Sequence, residues 1–448
     1  MNSQLKLWIL PVLSLVNAVA GEHWAFLVAG SNGWVNYRHQ ADLCHAYHLL
    51  LRAGVPAKNI VTMFYDDVAN SPNNPQPGVL INRPGGENVY EGVVKDYTAK
   101  DVTTANLLNV LMGNKEAMKG IGSGRVIESG PEDTVFLNII DHGNPGMIDI
   151  IDKSLYADQL NDALKTMKRK GSYGKMAIFV EACDAGSMFD SIIDDDNNVF
   201  ALTAAAPDEF SFVHSFDKDL ETYVSDSFSA AWMELVEKML TETGSLDMTL
   251  FNLYKAVRSA VTDSHVMIYG DFHLGFDSMA TFFGSNGGIP ISKPKNTVLI
   301  ESLKKSDVEK VSSQDVPLHL LQKKLKESSN DEEKKSLQKQ IDYIEDGRDT
   351  IDNAVLEAVE IIAAMDNKLI SYLMYNKSRA TLPIFGCYRQ IIDIFTQNCI
   401  NVDENPYATK HFYKFINICL KGINLTKVKG AFKSVCERES LNLLKGIY

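Results

Sequence analysis

The chain of 448 residues is long enough for two or three domains of ~150 residues each. Hydrophobic residues make up 45% of it and charged residues 23%, a globular composition that excludes a disordered chain. The 44 lysine and arginine residues, against 57 aspartate and glutamate residues, give a formal net charge of −13. That acidic balance argues against a nucleic-acid partner, because binding to the phosphate backbone depends on clustered lysine and arginine.

The N-terminus has the pattern of a secretory signal peptide. Lys6 precedes an apolar stretch over residues 7–16, and small residues at 18–20 form an A-x-A cleavage site, which predicts a signal peptide over residues 1–20. The stretch is too short for a transmembrane helix, so no membrane anchor is expected. We expect a mature chain beginning at Gly21 in the secretory pathway, either secreted or delivered to a lysosome or vacuole.

Apolar runs that alternate with helical patterns organise the first part of the mature chain. Strands are predicted at residues 24–29, 59–63, 133–140, 175–180 and 202–205. Helical spacing is found between them, at residues 43–51 and 155–167 for example. This alternation predicts an α/β domain over residues 21–270 with a mostly parallel sheet flanked by helices.

The composition then changes twice. Residues 271–317 are rich in glycine, proline, serine and lysine and predict a linker. Residues 318–448 have helical spacing, with Leu337, Ile341 and Ile344 on one face, and predict an all-α domain. Four of the six cysteines fall near the C-terminus, which in an exported chain suggests two disulfides with three possible pairings.

The remaining cysteines differ in their surroundings. Cys44 is spaced among apolar residues of a predicted helix and is expected in the core. Cys183 and His142 each follow a predicted strand, beside Gly186 and Gly143 respectively. Reactive groups collect at the carboxyl ends of parallel strands, and a cysteine with a histidine forms a nucleophile and its base. Main-chain N–H groups of Gly143 and Cys183 would hold the oxyanion.

Other chemistries have weaker support. The sequence contains no H-E-x-x-H, G-x-S-x-G or P-loop motif. The acidic residues 194–198 lack the glycine and distal glutamate of a calcium loop and are expected to be a solvated loop. We therefore expect no metal and no cofactor.

Five ordered segments together resemble the legumain, or asparaginyl endopeptidase, family. They are residues 30–42 (GSNGWVNYRHQAD), 65–67 (YDD), 141–143 (DHG), 181–183 (EAC) and 264–267 (SHVM). The resemblance covers nearly all of the mature chain. It implies a caspase-like fold followed by a death-domain-like helical prodomain. It also implies a cysteine endopeptidase that cleaves after asparagine, and after aspartate in acid, made as an acid-activated zymogen.

The resemblance also implies roles for individual residues. Cys183 would be the nucleophile, His142 the general base and Asn36 the residue that orients His142, while Asp141 matches an aspartate that can occur as a succinimide. The pocket for the P1 side chain would be built from Arg38, His39, Glu181, Ser211 and Asp226. Such a pocket makes chemical sense, because one arginine and two carboxylates supply the donor and the acceptors that a side-chain amide requires.

Two positions depart from the family pattern. Phe210 stands where relatives often have a second serine, which alters the expected rim of the pocket. Asp184 stands where many relatives have glutamate, a group that helps to hold the prodomain, so that contact is in question for this chain.

Processing and partners follow from the same resemblance. It implies disulfides Cys387–Cys419 and Cys399–Cys436 and a release cleavage after Asp271 or Asn286. The sequons predict N-glycans at Asn376 and Asn424. Expected partners are peptide and protein substrates, the chain's own prodomain as an inhibitor, and cystatin-type inhibitors.

Two alternatives to a hydrolase stay open at this point. A thioester intermediate can be intercepted by an amine, so a peptide ligase of the same family has the same sequence pattern. A catalytically silent binding or inhibitory homologue would retain the fold, although Cys183 and His142 are both present.

Overall fold

The computed structural model describes residues 21–284, 310–439 and 441–448. The predicted signal peptide over residues 1–20 and the candidate cleavage site at Asn286 lie outside the described residues. Within the described ranges, no helix is both long enough and apolar enough to span a membrane.

The secondary structure alternates as the sequence predicts. In chain order the strands are β1 (His23–Ala29), β2 (Ile60–Phe64), β3 (Thr134–Ile140), β4 (Gly143–Asn144), β5 (Met147–Ile148), β6 (Leu155–Tyr156), β7 (Lys175–Glu181), β8 (Val199–Thr203), β9 (Val213–Asp217), β10 (Thr222–Asp226) and β11 (Met267–Gly270). The helices of the first part are α1 (Tyr37–Ala53), α2 (Thr104–Leu111), α3 (Ala157–Lys170), α4 (Ser227–Glu242), α5 (Leu250–Ala260) and α6 (Ala280–Phe283).

The main sheet has six strands in the order β11-β8-β7-β3-β1-β2. All neighbours are parallel except β11, which pairs with β8 in the antiparallel direction. The interior strands are apolar on both faces because helices cover both sides of the sheet. The predicted α/β class with a mostly parallel sheet is therefore confirmed.

Two small sheets lie beside the carboxyl edge of the main sheet. Strands β4, β5 and β6 form an antiparallel sheet directly after β3, and β9 and β10 form a hairpin. The chain leaves β3 toward His142, leaves β7 toward Cys183 and leaves β10 at Asp226. The topology therefore brings three distant parts of the sequence to one edge.

The packed core continues beyond Gly270, where we expected the first domain to end. Phe283 on α6 is buried, contacts Phe136 of β3 edge to face with ring centroids 4.7 Å apart, and stacks on Trp232 of α4 at 6.0 Å. These aromatic contacts join the segment after β11 to the core of the sheet. We propose that the first domain ends at Gly284 and that the linker is correspondingly shorter.

The C-terminal region is helical. Its helices are α7 (Val316–Glu327), α8 (Asp331–Ile362), α9 (Asn367–Tyr375), α10 (Phe385–Asn398), α11 (Phe412–Leu420) and α12 (Leu425–Arg438). Disulfides join α10 to α11 through Cys387–Cys419, and the end of α10 to α12 through Cys399–Cys436. This pairing is the one that the resemblance implies, and it was one of the three that spacing left open.

The helical region packs on the loop that follows His142. The Tyr388 hydroxyl donates to the carbonyl oxygen of Pro145 at 2.9 Å. Ion pairs join Arg379 to Asp190 at 2.5 Å and Arg389 to Asp158. Buried side chains of both regions form one continuous hydrophobic cluster. The helices therefore cover the edge of the sheet at which His142 and Cys183 lie.

Candidate active site

Cys183 and His142 lie at equivalent positions on neighbouring strands. Ile140 of β3 pairs in register with Glu181 of β7, and the two residues lie two positions beyond that pair. Cys183 is fully buried, and its Sγ accepts from the main-chain N of Ser211 at 3.3 Å. Parallel pairing of the two strands therefore brings Cys183 and His142 to the same edge of the sheet, as the sequence predicts.

Local backbone geometry fixes both turns. A Cβ atom at Gly143 would overlap the carbonyl oxygen of Cys183, so the turn after β3 passes too close to the turn after β7 for any other residue. Asp184 follows Cys183 with φ +52°, a left-handed conformation that aspartate tolerates better than most residues. The glycine expected to approach a ligand thus serves the close approach of two turns of the protein.

Asn36 determines which histidine nitrogen carries the proton. Its Nδ2 donates to the carbonyl oxygen of Asn32 at 3.0 Å, which leaves Oδ1 facing His142 Nε2 at 2.9 Å. An amide oxygen only accepts, so Nε2 of His142 must carry a hydrogen and donate. Nδ1 of His142 is therefore the unprotonated nitrogen that is free to act as a base.

The covered site stabilises the neutral forms of both groups. Burial, with a smaller effect of Asp184, raises the pKa of the Cys183 thiol to about 12. Burial, together with the positive charge of Arg38, lowers the pKa of His142 to about 3. At acidic to neutral pH the pair is therefore a thiol beside a neutral imidazole, with no thiolate formed in advance.

A fully buried polar cluster lies next to this pair. Arg38 on α1 donates through Nε to Oδ1 of Asp226 at 2.8 Å and through Nη1 to the carbonyl oxygen of Val35 at 2.9 Å. Glu181 Oε2 accepts from both the main-chain N and the hydroxyl of Ser229, at 2.8 and 3.0 Å. These bonds hold one arginine and two carboxylates in fixed orientations.

Three polar atoms of that cluster have no hydrogen-bond partner among the described residues. They are Nη2 of Arg38, Oε1 of Glu181 and Oδ2 of Asp226. A buried polar atom without a partner costs about 1–3 kcal/mol, so such a group in a native protein is expected to meet a ligand. One donor and two acceptors are the complement of a carboxamide, whose oxygen accepts and whose nitrogen donates twice.

The other predicted pocket residues surround this cluster. His39 Nδ1 lies 2.6 Å from Ser31 Oγ, and its Nε2 lies 3.6 Å from Asp226 Oδ2. Ser211 is buried next to Cys183, with Oγ 3.6 Å from Sγ. The carboxylate of Asp141 is also buried, and burial raises its pKa well above the usual range. Phe210, the departure at the rim, is 41% exposed.

One side-chain cluster has the geometry of a possible metal site. Ligand atoms of His39, Asp141 and His142 lie within 4.8 Å of one another. His142 Nε2 and His39 Nδ1 already have Asn36 and Ser31 as partners. The expectation that the protein needs no metal stays a prediction.

Residues 311–313 lie in the cleft in the manner of a bound peptide. The main-chain N of Ser313 donates to the carbonyl oxygen of Ser211 at 2.9 Å, and the main-chain N of Val213 donates to that of Val311 at 3.1 Å. The segment therefore adds an antiparallel strand to residues 211–213. The Ser313 hydroxyl enters the polar cluster and donates to Asp226 Oδ1 at 3.2 Å.

Comparison with protein families agrees with this geometry. The Peptidase C13 family model matches residues 23–285, and the legumain prodomain model matches residues 339–436. The chain belongs to the Peptidase C13 family. Membership confirms the resemblance found in the sequence, and the second match agrees with a separate helical prodomain.

Curated relatives match along most of the chain. Legumain from Pongo abelii is 40% identical, with 93% of each chain covered. Legumain from Canavalia ensiformis is 35% identical over 96% of this chain and 91% of that one, and a vacuolar-processing enzyme from Vicia sativa is 34% identical over 93% and 86%. A caspase-1 structure from Spodoptera frugiperda aligns at 12% identity, with a TM-score of 0.34, over 60% of this chain and 93% of that one.

Three of the predicted processing residues of this peptidase are among the described residues. Asp271 follows β11, and its main-chain N donates to the carbonyl oxygen of Val199 at 2.7 Å. Asn376 and Asn424 are exposed, as glycan acceptors must be, and Asn424 also caps α12 by accepting from Thr426 N. Cleavage at Asp271 and glycosylation of both asparagines stay predictions.

Sequence reasoning missed two residues of the site. Ser313 falls in the predicted linker, whose composition gave no sign that part of it lies in the cleft. Asp42 was within a quoted motif but received no role, although it is fully buried against Asp226. The spacing of Arg38 and Asp42, one helical turn apart, was the available signal.

Proposed function

We propose that this protein is a cysteine endopeptidase that cleaves after asparagine and is made as a zymogen. The observation that supports the proposal most strongly is the set of unpaired buried atoms on Arg38, Glu181 and Asp226 beside Cys183. A P1 asparagine would pair with all three, whereas an aliphatic side chain would leave them unpaired. Glutamine, one methylene longer, would not fit the same three atoms.

In the proposed reaction His142 acts as base and acid in turn. Its Nδ1 takes the proton of the Cys183 thiol as sulfur attacks the carbonyl carbon of asparagine. The C–N bond then breaks, the protonated imidazole gives its proton to the leaving amine, and a thioester remains. Water, deprotonated by the same Nδ1, hydrolyses the thioester and regenerates the thiol.

The main-chain N–H of Gly143 is available for the oxyanion. His142 accepts through its carbonyl oxygen from Asp149 N at 3.0 Å, so these two residues form a hydrogen-bonded pair. In an antiparallel ladder the next pair, Gly143 and Ile148, is then not hydrogen-bonded. The N–H of Gly143 points away from β5, and together with Cys183 N–H it would form the oxyanion hole.

Two segments of the C-terminal part would maintain latency. Ser313 would take the place of a P1 residue. Among the described residues its short hydroxyl bonds to Ser211 and Asp226, and it leaves the three buried atoms of the cluster unpaired. The helical prodomain covers the loop after His142 and is held by Arg379–Asp190 and by Lys377, whose Nζ donates to the carbonyl oxygen of Asp208 at 2.9 Å.

Asp184, where the sequence leaves the prodomain contact in question, interacts electrostatically with Lys377 of the prodomain. Burial raises the pKa of Asp184 well above its usual range, although the charge of Lys377 acts in the opposite direction. The cross-domain ion pair beside it is the one between Arg379 and Asp190.

Cleavage after aspartate is proposed only in acid. Burial, followed by the charge of Asp226, already raises the pKa of Glu181 well above its usual range, so the pocket disfavours further negative charge. An ionised P1 aspartate would add such a charge and has no hydrogen to donate. A protonated one has an O–H donor and a carbonyl acceptor and mimics asparagine, which requires a pH below about 5.

The cellular compartment and the partners of the enzyme are also proposals. The predicted signal peptide and the relatives named legumain and vacuolar-processing enzyme support the secretory pathway, with delivery to a lysosome or vacuole or secretion. Proposed partners are peptide and protein substrates, the chain's own prodomain and cystatin-type inhibitors.

The test is acid incubation of the purified full-length chain, followed by assays on Ala-Ala-Asn and Ala-Ala-Gln reporters. We expect cleavage of the asparagine reporter only after acid treatment, and none in Cys183→Ala prepared in parallel. Equal turnover of the two reporters would contradict the proposed pocket. Mass analysis of products with an added amine separates hydrolysis from ligation.

A further inference from the structure

Asp42 is a buried carboxyl group that the proposed reaction does not use. It lies on α1, one turn after Arg38, and is 0% exposed. Oδ2 accepts from the main-chain N of Asp226 at 3.1 Å, and Oδ1 accepts from Asn82 Nδ2 at 2.7 Å. Both oxygens are therefore used as acceptors.

Arg38 and Asp42 hold Asp226 at two points. Arg38 donates to the side chain of Asp226 at 2.8 Å, while Asp42 accepts from its main chain. One turn of α1 thus fixes both the carboxylate and the backbone at the end of β10. Oδ2 of Asp226, one of the three unpaired atoms of the pocket, is placed by these two contacts.

The neighbouring amide cannot rotate to accommodate a different group. Asn82 Nδ2 also donates to the carbonyl oxygen of Val224 at 2.8 Å, and its Oδ1 lies 2.7 Å from His45 Nδ1. Flipping the amide of Asn82 would break the bond to Val224 and place two acceptor oxygens against each other. The residue at position 42 must therefore present an acceptor to Asn82 as well as to Asp226.

A carboxyl group at this position is electrostatically costly. Burial, with the adjacent carboxylates of Asp226 and Glu181, raises the pKa of Asp42 well above its usual range. Asparagine has the same size and would avoid that cost, but it has one acceptor only. The need for two acceptors explains why aspartate is found here.

We propose that Asp42 is a positioning residue that determines P1 specificity by fixing Asp226 in the pocket. It acts through Asp226 and does not itself reach the substrate. This role rests on the proposed function, because the recognition of asparagine by Asp226 is itself proposed.

The test compares two labelling rates of Cys183 in the acid-activated full chain. One reagent is a thiol-directed peptide probe with asparagine at P1, and the other is iodoacetamide, which needs no P1 pocket. In Asp42→Asn an NH2 group faces either the N–H of Asp226 or Asn82 Nδ2. We expect the ratio of probe to iodoacetamide rates to fall about tenfold or more, with the iodoacetamide rate unchanged.

A matched substitution separates positioning from general disruption. Asp96 is also buried, and its carboxylate accepts from the main-chain N of Thr62 at 3.1 Å, but it makes no contact with Asp226. We expect the ratio in Asp96→Asn to stay at the wild-type value.

Two results would overturn this role of Asp42. One is a wild-type ratio in Asp42→Asn, and the other is an equal fall of the ratio in Asp42→Asn and Asp96→Asn. A wild-type chain that reacts equally with a matched alanine probe would instead overturn the proposed function, and this role with it.

Discussion

A buried histidine predicts that acid weakens the helical prodomain. His411 precedes α11 and is 2% exposed. Its Nε2 lies 2.9 Å from Asp352 Oδ1 on α8, and its Nδ1 faces the ammonium of Lys414, which is also buried. The ammonium can only donate, so Nδ1 must accept and the imidazole must be neutral. Protonated His411 would place two cations against each other in the core.

The sign and size of the effect follow from the pKa. Burial lowers the pKa of His411 from 6.5 to about 4, although the hydrogen bond to Asp352 opposes this. The unfolded chain takes up the proton first, so stability falls as the pH drops below 6.5. The loss is about 2 kcal/mol at pH 5 and about 3 kcal/mol at pH 4.

The partners of His411 do not add to the loss in this range. Burial lowers the pKa of Lys414 to about 8, so Lys414 is charged throughout and its cost is constant below that pH. Burial opposes the shift at Asp352, but hydrogen bonds from His411 and Lys410 hold its pKa below 3.8. The contribution of Asp352 to the stability of the folded prodomain is therefore lost mainly as the pH falls below 3.8.

The variant His411→Gln tests this reasoning, because glutamine keeps one donor and one acceptor but binds no proton. We would measure hydrogen–deuterium exchange of peptides from α11, corrected for intrinsic rates, in the full chain carrying Cys183→Ala. The opening free energy should drop by about 2 kcal/mol less between pH 7 and pH 5 than in the parent chain. Exposed His273→Gln is the matched control. Equal losses in His411→Gln and its parent would refute the assignment.

Two further substitutions test the candidate active site and the Arg379–Asp190 ion pair that joins the prodomain to the peptidase domain. Gly143→Ala should lower kcat/KM about 100-fold or more, because its Cβ would displace the turn that carries Cys183. Gly130→Ala, in the same domain, is its control, because the nearest atom to a Cβ there is Asp133 Oδ2 at 3.7 Å; similar activities in the two variants would contradict the close approach. Arg379→Ala should raise the pH at which latency is lost, by less than about one unit, since exposed ion pairs contribute ~0.2–1 kcal/mol. Activity after incubation across pH 4–7 measures this, with exposed Arg169→Ala alongside, and an unchanged midpoint would exclude Arg379–Asp190 as a latch.

Local sequence signals predicted the elements of the fold well. The apolar runs at 24–29 and 175–180 correspond to β1 and β7, because a strand covered on both faces must be continuously apolar. The same logic put His142 and Cys183 at strand ends. Their proximity followed from a general property of parallel sheets, so it was predictable without knowledge of the register.

The end of the first domain and the pairing of the disulfides could not be predicted from local sequence patterns. Spacing of the four C-terminal cysteines left three pairings, and only family resemblance selected the one that the structure contains. Residues after Gly270 looked like a linker by composition, yet Phe283 packs on Trp232. Composition reports the average polarity of a segment, while burial depends on which surface the segment meets.

The pocket and its cover were decided by tertiary structure. Arg38, Glu181 and Asp226 come from α1, β7 and β10, and no periodicity links positions so far apart; without the resemblance they would have remained unremarked. Ser313 and Asp42 went unassigned for the same reason, since their roles lie in contacts with Asp226 across 87 and 184 residues of sequence. Periodicity and spacing record which residues are near each other along one element. Pairing of a donor with an acceptor from another element arises only when the chain has folded.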